Sequence, residues 1–277
     1  MMWTTRGSHL LLQDPEPFDL NETLDCGQAF RWERLPDGRF QGVARGRFLV
    51  LGLRPEGLLL ENTPVGDAAL WEDYFDLGRA YAPLLDRFRE DPVLAQAIAF
   101  APGIRVLRQD GWEALCSFII SQNNNVPRIK GIIRRLCHLL GAPAGPEGWH
   151  DFPTPQRLAA SSLEELAPVR AGFRAKYLLD AARKVVSGQV DLAAIPAMET
   201  PRAQEELCKI LGVGPKVAQC ALLYGFGKVD CFPQDVWIKR VVAQLYPQGF
   251  PPQLADCAGI AQQYLFHYAR SNPHLFD

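Results

Sequence analysis

The sequence predicts an α+β fold in which an N-terminal antiparallel β-sheet domain packs on a mainly α-helical domain. Residues 30–62 alternate short apolar runs with turn residues, in FRWERLPDGRFQGVARGRFLVLGLRPEGLLLEN. This pattern is typical of antiparallel strands. From Asp67 the apolar residues recur at helical spacing, and from Gln109 onward nearly every segment has this spacing.

The predicted sheet contains three or four strands, joined by the turns Pro-Asp-Gly, Arg-Gly and Pro-Glu-Gly. We place the sheet domain at residues 1–103, with helices near its end, and the helical domain at residues 104–277. No long low-complexity linker separates them, so the boundary is expected to be packed. The predicted helices are Trp112–Ser121, Val126–Leu140, Leu163–Leu166, Ala175–Val186, Arg202–Leu211, Pro215–Tyr224, Asp235–Leu245 and Gly259–Arg270.

The composition indicates a protein with a substantial core. Of its 277 residues, 48% are apolar and 22% charged, which fits one large domain or two ordinary ones. No apolar run is long enough to span a membrane, and the N-terminal apolar segment is too short for a signal peptide. We therefore expect a cytoplasmic protein, or a nuclear one if the source is eukaryotic. The seven cysteines are expected to be buried thiols.

The charge distribution allows contact with nucleic acid at particular places. A net charge of −2 and a pI near 6.2 argue against a protein that coats nucleic acid. Val126–Arg135 nevertheless carries four basic residues and no acid, and Arg170–Lys184 carries five basic residues against one acid. Such clusters are typical either of solvated helix faces or of phosphate contacts.

Residues 202–224 predict a helix-hairpin-helix, in which Gly212 and Gly214 form the hairpin. Glycines allow the backbone to turn and approach a partner, and the free amides at the start of the second helix suit a phosphate oxygen. Ordinary helix–turn–helix joints also use glycine, so this motif alone leaves a purely structural role open.

Lys216 lies in the first turn of that second helix, where the helix dipole disfavours a cation by about 0.3–1 kcal/mol. A lysine amine is almost wholly protonated at neutral pH, so a nucleophilic role requires surroundings that disfavour the charged form. The dipole contributes to this, and burial in a pocket must supply most of it. From this stretch alone, catalysis and phosphate binding at the surface remain equal alternatives.

Asp235 opens an amphipathic helix nineteen residues after Lys216. An aspartate at this position is commonly a helix cap. A helix-hairpin-helix with this lysine, a loop rich in glycine and proline, and then an aspartate resembles the helix-hairpin-helix DNA glycosylase superfamily. Asp235 thus has a catalytic interpretation beside the structural one.

Five further stretches carry a closer resemblance along nearly the whole chain. They are CGQAFRW (26–32), SQNNNVPRI (121–129), GFRAKYLLDAARKV (172–185), ILGVGPKVAQC (210–220) and YLFHYAR (264–270). In order and spacing they resemble the 8-oxoguanine DNA glycosylase/lyase family of the eukaryotic type and its prokaryotic relatives. The resemblance implies a base excision repair enzyme whose sheet domain packs on a helix-hairpin-helix glycosylase core.

The resemblance implies a role for each matching residue. Lys216 attacks the sugar C1′ and forms a Schiff base, and Asp235 stabilises positive charge on the sugar. Phe266 and Cys220 sandwich the flipped base, and Gln262 bonds its pairing edge. Gly27 offers its carbonyl to N7 of the base, which bears a hydrogen in 8-oxoguanine and is an acceptor in guanine.

The resemblance also implies contacts with the opposite strand and the backbone. Asn123, Arg128 and Arg174 correspond to the residues that read the orphaned cytosine. Phe173 replaces the wedge tyrosine of animal members, and Trp237 replaces a histidine near a phosphate. Gln122 and Cys26 stand where animal members have serines.

We expect no required cofactor. Only Cys257 follows Cys231, so the C-terminal region lacks the four cysteines of an iron–sulfur cluster, and the five histidines show no zinc spacing. The resemblance implies a structural monovalent cation at the carbonyls of Cys208, Ile210 and Val213. The expected partner is double-stranded DNA containing an oxidised purine, bound by a monomer.

Two alternatives remain open at this stage. The leading hypothesis is a bifunctional glycosylase/lyase that excises 8-oxoguanine opposite cytosine from duplex DNA, and the alternatives are a glycosylase for another damaged purine and a non-catalytic helix-hairpin-helix DNA-binding module. A binding module has no need of the Lys216–Asp235 pair, and an enzyme for alkylated purines usually lacks the lysine.

Overall fold

The computed structural model describes residues 2–13 and 18–276. Its N-terminal part is a six-stranded antiparallel sheet in the order β1-β2-β6-β5-β4-β3. The strands are β1 (Met2–Arg6), β2 (His9–Gln13), β3 (Trp32–Arg34), β4 (Phe40–Ala44), β5 (Arg47–Arg54) and β6 (Gly57–Glu61).

The turn residues explain the hairpins of this sheet. Arg45 and Gly46 join β4 to β5 with φ of 51° and 72°, the two positive values that a tight two-residue hairpin of type I′ requires. Strands β3 to β6 are the strands predicted from residues 30–62, and the α+β fold class is confirmed. Strands β1 and β2 lie outside the predicted sheet, which they extend beyond β6.

One face of the sheet is buried against α2 (Ala68–Tyr74) and the residue that follows it. Alternation along the strands directs six leucines to this face, each at most 1% exposed. They are Leu10, Leu12, Leu49, Leu51, Leu58 and Leu60. They pack with Trp71, Tyr74 and Phe75 in one hydrophobic cluster, which attaches the sheet to the helical part.

The remaining helices are α1 (Leu20–Leu24), α3 (Tyr81–Arg89), α4 (Pro92–Phe100), α5 (Gly111–Ser121), α6 (Val126–Leu140), α7 (Pro155–Ala159), α8 (Arg174–Val186), α9 (Thr200–Cys208), α10 (Pro215–Phe226), α11 (Val236–Leu245) and α12 (Ala258–Ser271). Helix α1 packs in the sheet cluster through Leu20 and Leu24, and the helices from α3 onward form the larger core. No helix among the described residues is long and apolar enough to span a membrane.

One helix prediction is wrong. Residues 163–166 form a turn that leads into a short 3₁₀ helix, Ala167–Val169. Pro168 has no N–H to donate, and Arg170 adopts a left-handed φ of 58°, so a helix cannot continue through this stretch. The other seven predicted helices are present, Val126–Leu140 with the predicted bounds and the other six with one or both ends shifted.

Helices α5 and α10 pack closely because two glycines remove side chains between them. A Cβ atom on Gly225 would lie 2.7 Å from the Cβ of Ala114, and one on Gly111 would lie 2.5 Å from the ring of Phe226. Both distances are shorter than ordinary contacts. The close approach fixes the position of α10, which carries Lys216.

Candidate active site

Seven of the predicted site residues line one cavity of about 420 Å³. They come from the loop after α1, from α10, from the start of α11 and from α12. The residues are Gly27, Lys216, Cys220, Asp235, Trp237, Gln262 and Phe266. The volume lies in the range of about 300–1,000 Å³ that is typical of small-molecule pockets.

Lys216 is the second residue of α10, and its side chain is half-buried in the cavity wall. Gly214 caps the helix with extended backbone and without a side-chain hydrogen bond, so the first turn stays open to a partner. The Nζ atom lies 5.8 Å from the ring centroid of Phe118. The amine therefore faces an apolar ring on one side and the cavity on another.

Asp235 caps α11 and lines the same cavity. Its Oδ1 accepts a hydrogen bond from the N–H of Ile238 at 2.9 Å. Burial raises the pKa of Asp235, while this hydrogen bond and the charge of Lys216 act in the opposite direction. The capping role and a place in the cavity thus belong to the same carboxyl group.

One face of α10 forms a wall of the cavity. Lys216, Cys220 and Tyr224 recur at intervals of four residues and all line it. Burial raises the pKa of the Cys220 thiol, and the neighbouring Lys216 charge opposes this only in part. The thiol therefore stays protonated at neutral pH and does not compete with the amine as a nucleophile.

Gly27 lies close against α12. Its φ is +87°, and a Cβ atom there would lie 3.1 Å from Cε1 of Phe266 and 3.2 Å from Nη1 of Arg270. The left-handed backbone favours glycine, and a larger residue would also have to displace these side chains slightly. Gly27 thus places its backbone at the cavity, beside the ring of Phe266.

The loop that carries Gly27 is held by the next residue, Gln28, which the sequence analysis did not single out. Its fully buried amide donates to the carbonyls of Thr23 and Arg105, both at 2.8 Å. Its Oε1 accepts from the N–H of Leu107 at 2.9 Å. A buried amide with these partners fixes the loop, and the glutamine within the CGQAFRW motif is its only sequence signal.

Three predicted DNA-contacting residues lie outside the cavity and are exposed. Asn123 and Arg128 lie on either side of the start of α6, and Asn123 has a left-handed φ of 48°. Phe173, which precedes α8, has 46% of its surface exposed. Nearly half of this aromatic residue is therefore accessible to a partner.

Arg174 differs from these residues because it is only 2% exposed. Its Nη2 donates to the carbonyl of Asn123 at 2.8 Å, and its Nε to that of Gln122 at 2.9 Å. Its guanidinium also stacks on Phe173, with Cζ 4.4 Å from the ring centroid. The described structure thus uses Arg174 to support the Asn123 turn.

The hairpin between α9 and α10 has the backbone that its glycines predict. Gly212 has a φ of +77°, and a Cβ atom there would lie 2.4 Å from the Tyr177 ring. A Cβ atom on Gly214 would meet nothing within 4 Å, so this side of the hairpin is open. The amides of the first turn of α10 are accessible from there.

The carbonyls of Cys208, Ile210 and Val213 all belong to this hairpin. Cys208 ends α9, so its carbonyl is among the last four of the helix, which have no partner within it. The Ile210 carbonyl accepts one hydrogen bond, from the N–H of Val213 at 3.0 Å, and keeps a second lone pair. Oxygen donors of this type fit a hard cation. No cluster of His, Cys, Asp or Glu among the described residues fits a metal ion.

Four of the residues that sequence reasoning missed, besides Gln28, bear on the chemistry of the site. They are Phe118, Tyr224, Gln263 and Arg270. The four-residue spacing from Lys216 through Cys220 would have indicated Tyr224. Phe118 and Gln263 lie in patterns that look like ordinary helix cores, so only the tertiary structure reveals them.

A lysine and an aspartate brought to one cavity by a helix-hairpin-helix define the class of helix-hairpin-helix base excision glycosylases. Residues 116–249 match the family described as HhH-GPD superfamily base excision DNA repair protein. Residues 10–115 match the 8-oxoguanine DNA glycosylase N-terminal domain.

The full-length relatives agree with these matches. A probable N-glycosylase/DNA lyase of Methanothermobacter thermautotrophicus is 33% identical, over 91% of this chain and 94% of its own length. The chain belongs to the 8-oxoguanine DNA glycosylase/lyase family, as the resemblance in its sequence predicts.

Two solved structures have the same fold along the whole chain. MBOgg1 in complex with a low-affinity DNA ligand is 42% identical with a TM-score of 0.92, over 99% of this chain and 100% of that one. The 8-oxoguanine glycosylase/lyase of Clostridium acetobutylicum, in complex with double-stranded DNA containing cytosine opposite 8-oxoguanine, is 33% identical with a TM-score of 0.92. The match covers 99% of both chains.

Proposed function

We propose that this chain excises 8-oxoguanine opposite cytosine from duplex DNA and then nicks the strand. The observation that carries the proposal is the placement of Lys216 and Asp235 on the wall of one cavity. The family supports it, because a Clostridium acetobutylicum member was solved with such a duplex. The target nucleotide must leave the helix to reach this cavity.

Lys216 supplies the nucleophile. Its neutral amine attacks C1′ of the flipped nucleotide, a C–N bond forms, and the C1′–N9 bond breaks with its electron pair leaving on the base, which takes up a proton. Positive charge develops on the sugar as this bond lengthens. The Asp235 carboxylate lowers the barrier by offsetting that charge within a partly buried site.

The strand is nicked from the same covalent intermediate. The sugar ring opens to give a protonated Schiff base on Lys216, which makes the C2′ hydrogens acidic. Loss of a C2′ proton expels the 3′ phosphate by β-elimination. Hydrolysis of the imine then regenerates the amine.

Base recognition combines stacking with hydrogen bonds. Phe266 and Cys220 contact the two faces of the base, and Gln262 bonds its pairing edge. The Gly27 carbonyl accepts from N7–H of 8-oxoguanine and repels the N7 lone pair of guanine. One such buried bond is worth about 1–3 kcal/mol, so Gly27 alone does not account for the full selectivity.

The outer surface engages the rest of the duplex. Arg128 and Asn123 read the orphaned cytosine together with Arg174, whose donors must then leave the carbonyls that they contact in the free protein. Phe173 fills the space of the flipped base, and Trp237 lies near a phosphate. The hairpin amides at Gly212 and Gly214 bind the backbone.

The enzyme proposed here needs neither a catalytic cofactor nor a second subunit. The carbonyls of Cys208, Ile210 and Val213 would hold a structural monovalent cation, which would stiffen the hairpin, and the proposed chemistry requires no cofactor. The protein acts as a monomer, in the cytoplasm or, in a eukaryote, the nucleus.

Release of the free base tests the proposal. The protein is incubated with duplexes that contain 8-oxoguanine opposite cytosine, an alkylated purine, or no damage, and the released bases are identified by mass spectrometry. We expect 8-oxoguanine and a nicked strand from the first duplex. Release of only the alkylated purine would favour a different substrate, and binding without release would favour a non-catalytic module.

A further inference from the structure

Two buried polar side chains behind the cavity wall connect α10, α12 and the Gly27 loop, which carry the residues proposed to contact the base. Gln263 of α12 is fully buried and Tyr224 of α10 is 4% exposed. Gln263 Nε2 donates to the carbonyl of Cys26 at 3.2 Å, and the Tyr224 hydroxyl donates to Gln263 Oε1 at 2.5 Å. Cys26 precedes Gly27, so these hydrogen bonds run from α10 through α12 to the Gly27 loop.

The direction of these hydrogen bonds is fixed by chemistry. The Cys26 carbonyl has no hydrogen, so it must face the Nε2 of Gln263, and the Oε1 of Gln263 must then face Tyr224. The single proton of the Tyr224 hydroxyl is therefore committed to Gln263. Burial holds the pKa of Tyr224 well above its usual value, so the proton stays on the hydroxyl at neutral pH.

Gln262 lies on the other side of the same hydroxyl and lines the cavity. Gln262 is 3% exposed, and its Oε1 lies 3.4 Å from the Tyr224 oxygen, so in this rotamer two amide oxygens face a single hydroxyl proton that the shorter bond to Gln263 already uses. Because the hydroxyl proton is committed, the hydroxyl offers Gln262 only its lone pairs. The favourable arrangement turns the Gln262 amide so that Nε2 donates to Tyr224 and Oε1 faces the cavity.

We propose that Tyr224 and Gln263 are positioning residues that orient the Gln262 amide with its oxygen toward the base. In this relay, every donor points from Gln262 toward Cys26. Hydrogen bonds arranged in such a chain polarise and strengthen one another. An oxygen in the cavity accepts from the N1–H and the 2-amino group of a guanine-type pairing edge. It repels the N1 lone pair of an adenine-type edge, so the relay selects guanine-type lesions.

The inference rests on the proposed function, and one pair of substrates isolates it. 8-Oxoguanine and 8-oxoadenine share the 8-oxo group and N7–H, and they differ only on the pairing edge. Tyr224→Phe removes the hydroxyl but keeps the ring, which stacks on Phe118 at 5.2 Å between centroids. Gln263→Leu frees the hydroxyl proton to bond Gln262 Oε1, which turns Nε2 toward the cavity.

The experiment measures single-turnover excision of both lesions opposite cytosine, in wild type and in both variants. We expect the preference for 8-oxoguanine to fall about threefold to tenfold in Tyr224→Phe, the effect of one neutral hydrogen bond, and further in Gln263→Leu. Tyr268→Phe is the matched control, because its hydroxyl contacts Gln96 away from the cavity. It should keep the wild-type preference.

Two further readouts separate the relay from a general loss of function. Schiff-base trapping on an abasic duplex needs Lys216 but no base, so it measures any effect of the two variants on the nucleophile separately from their effect on base selection. Binding of the two lesion duplexes in a Lys216→Gln background measures the same preference without catalysis. A relay variant that loses stability or overall rate, yet keeps the wild-type ratio between the two lesions within twofold, would overturn the proposal.

Discussion

Asp235 has a structural role as a helix cap and a proposed chemical role that lowers the stability of the protein. The same carboxyl group caps α11 through Ile238 and lies in a partly buried cavity where desolvation raises its pKa. An ionised group in such a place costs stability, and the proposed chemistry requires that charge. Asparagine separates the two roles because it also caps helices well and carries no charge.

Asp235→Asn should therefore fold normally, bind lesion DNA and lose most of its single-turnover excision rate. It should also raise Tm at neutral pH. A raised pKa means that the folded state holds the proton more tightly, so the wild-type carboxyl group opposes folding only as pH rises above the ordinary aspartate value of about 3.9. The gain in Tm should shrink as pH falls toward that value.

Rates from rapid quench and thermal unfolding across pH check both expectations. An excision rate within about threefold of wild type, less than about 1 kcal/mol in the barrier, would leave Asp235 as a cap alone. A Tm difference between wild type and Asp235→Asn that does not change with pH would show that the ionised Asp235 carboxylate does not destabilise the folded protein.

Gly27 gives a second prediction at the scale of one residue, with a matched control in Gly38. Both glycines have a φ of +87°, but only at Gly27 would a Cβ atom meet the Phe266 ring, while Gly38 has nothing within 4 Å. Alanine at either position should cost about 1–2 kcal/mol of stability through left-handed strain. Only Gly27→Ala should also lower excision of 8-oxoguanine, by tenfold or more. Equal activity of the two variants would remove Gly27 from the base site.

At the scale of elements, the turn between α5 and α6 and the start of α8 form one unit. Arg174 reaches from α8 to the carbonyls of Gln122 and Asn123, which holds Asn123 in its left-handed conformation. Arg128 is exposed on α6 and has no comparable structural role. The two arginines therefore differ in what they contribute to the free protein.

We predict that Arg128→Ala and Arg174→Ala both reduce the preference for cytosine over adenine opposite the lesion, by tenfold or more. A charged hydrogen bond is worth about 1.5–3 kcal/mol. Only Arg174→Ala should also lower Tm, because it removes the buried side chain that bonds to the carbonyls of Gln122 and Asn123. Excision opposite all four bases, together with thermal unfolding, measures both effects. A wild type that cuts all four duplexes alike would show that these arginines do not read the partner base.

The sequence predicts elements well where a local pattern determines them. Residues 30–62 give the strands β3 to β6, and the spacing after residue 109 gives the long helices. The helix predicted at Leu163–Leu166 does not form, because Pro168 and the left-handed Arg170 follow too closely for so short an apolar pattern to continue as a helix. Strand β2 pairs with β6, about fifty residues away, a contact that no local pattern contains, and β1 joins the sheet through its pairing with β2.

At the scale of the whole molecule, the sheet and the helices meet at the Gly27 loop. Phe30 packs in the helical core, whereas Leu107, from the segment before α5, packs in the sheet core. Gln28 bonds to this segment. The base-reading loop is thus held between both parts of the molecule, and the division after residue 103 stays a prediction.

Some candidate site residues have a signal in the sequence, and others are revealed only by the packing of the helices. Lys216 stands out because a cation is unusual at a helix start, Asp235 was singled out by its spacing from Lys216 in the superfamily pattern, and the structure brings both to one cavity. Tyr224 and Gln263 act through partners on other elements. Their sequence context is that of ordinary helix residues, so their role depends on how α10 and α12 pack.

Trapping of the covalent intermediate tests the central claim, that Lys216 is the nucleophile, most directly. Wild type and variants are mixed with an 8-oxoguanine:cytosine duplex in the presence of borohydride, and the adduct is mapped by peptide mass spectrometry. We predict an adduct on Lys216 in wild type and in the control Lys239→Gln, which removes an exposed lysine from α11. Lys216→Gln should form none while still binding the duplex. An adduct that persists in Lys216→Gln, or that maps to another residue in wild type, would contradict the account.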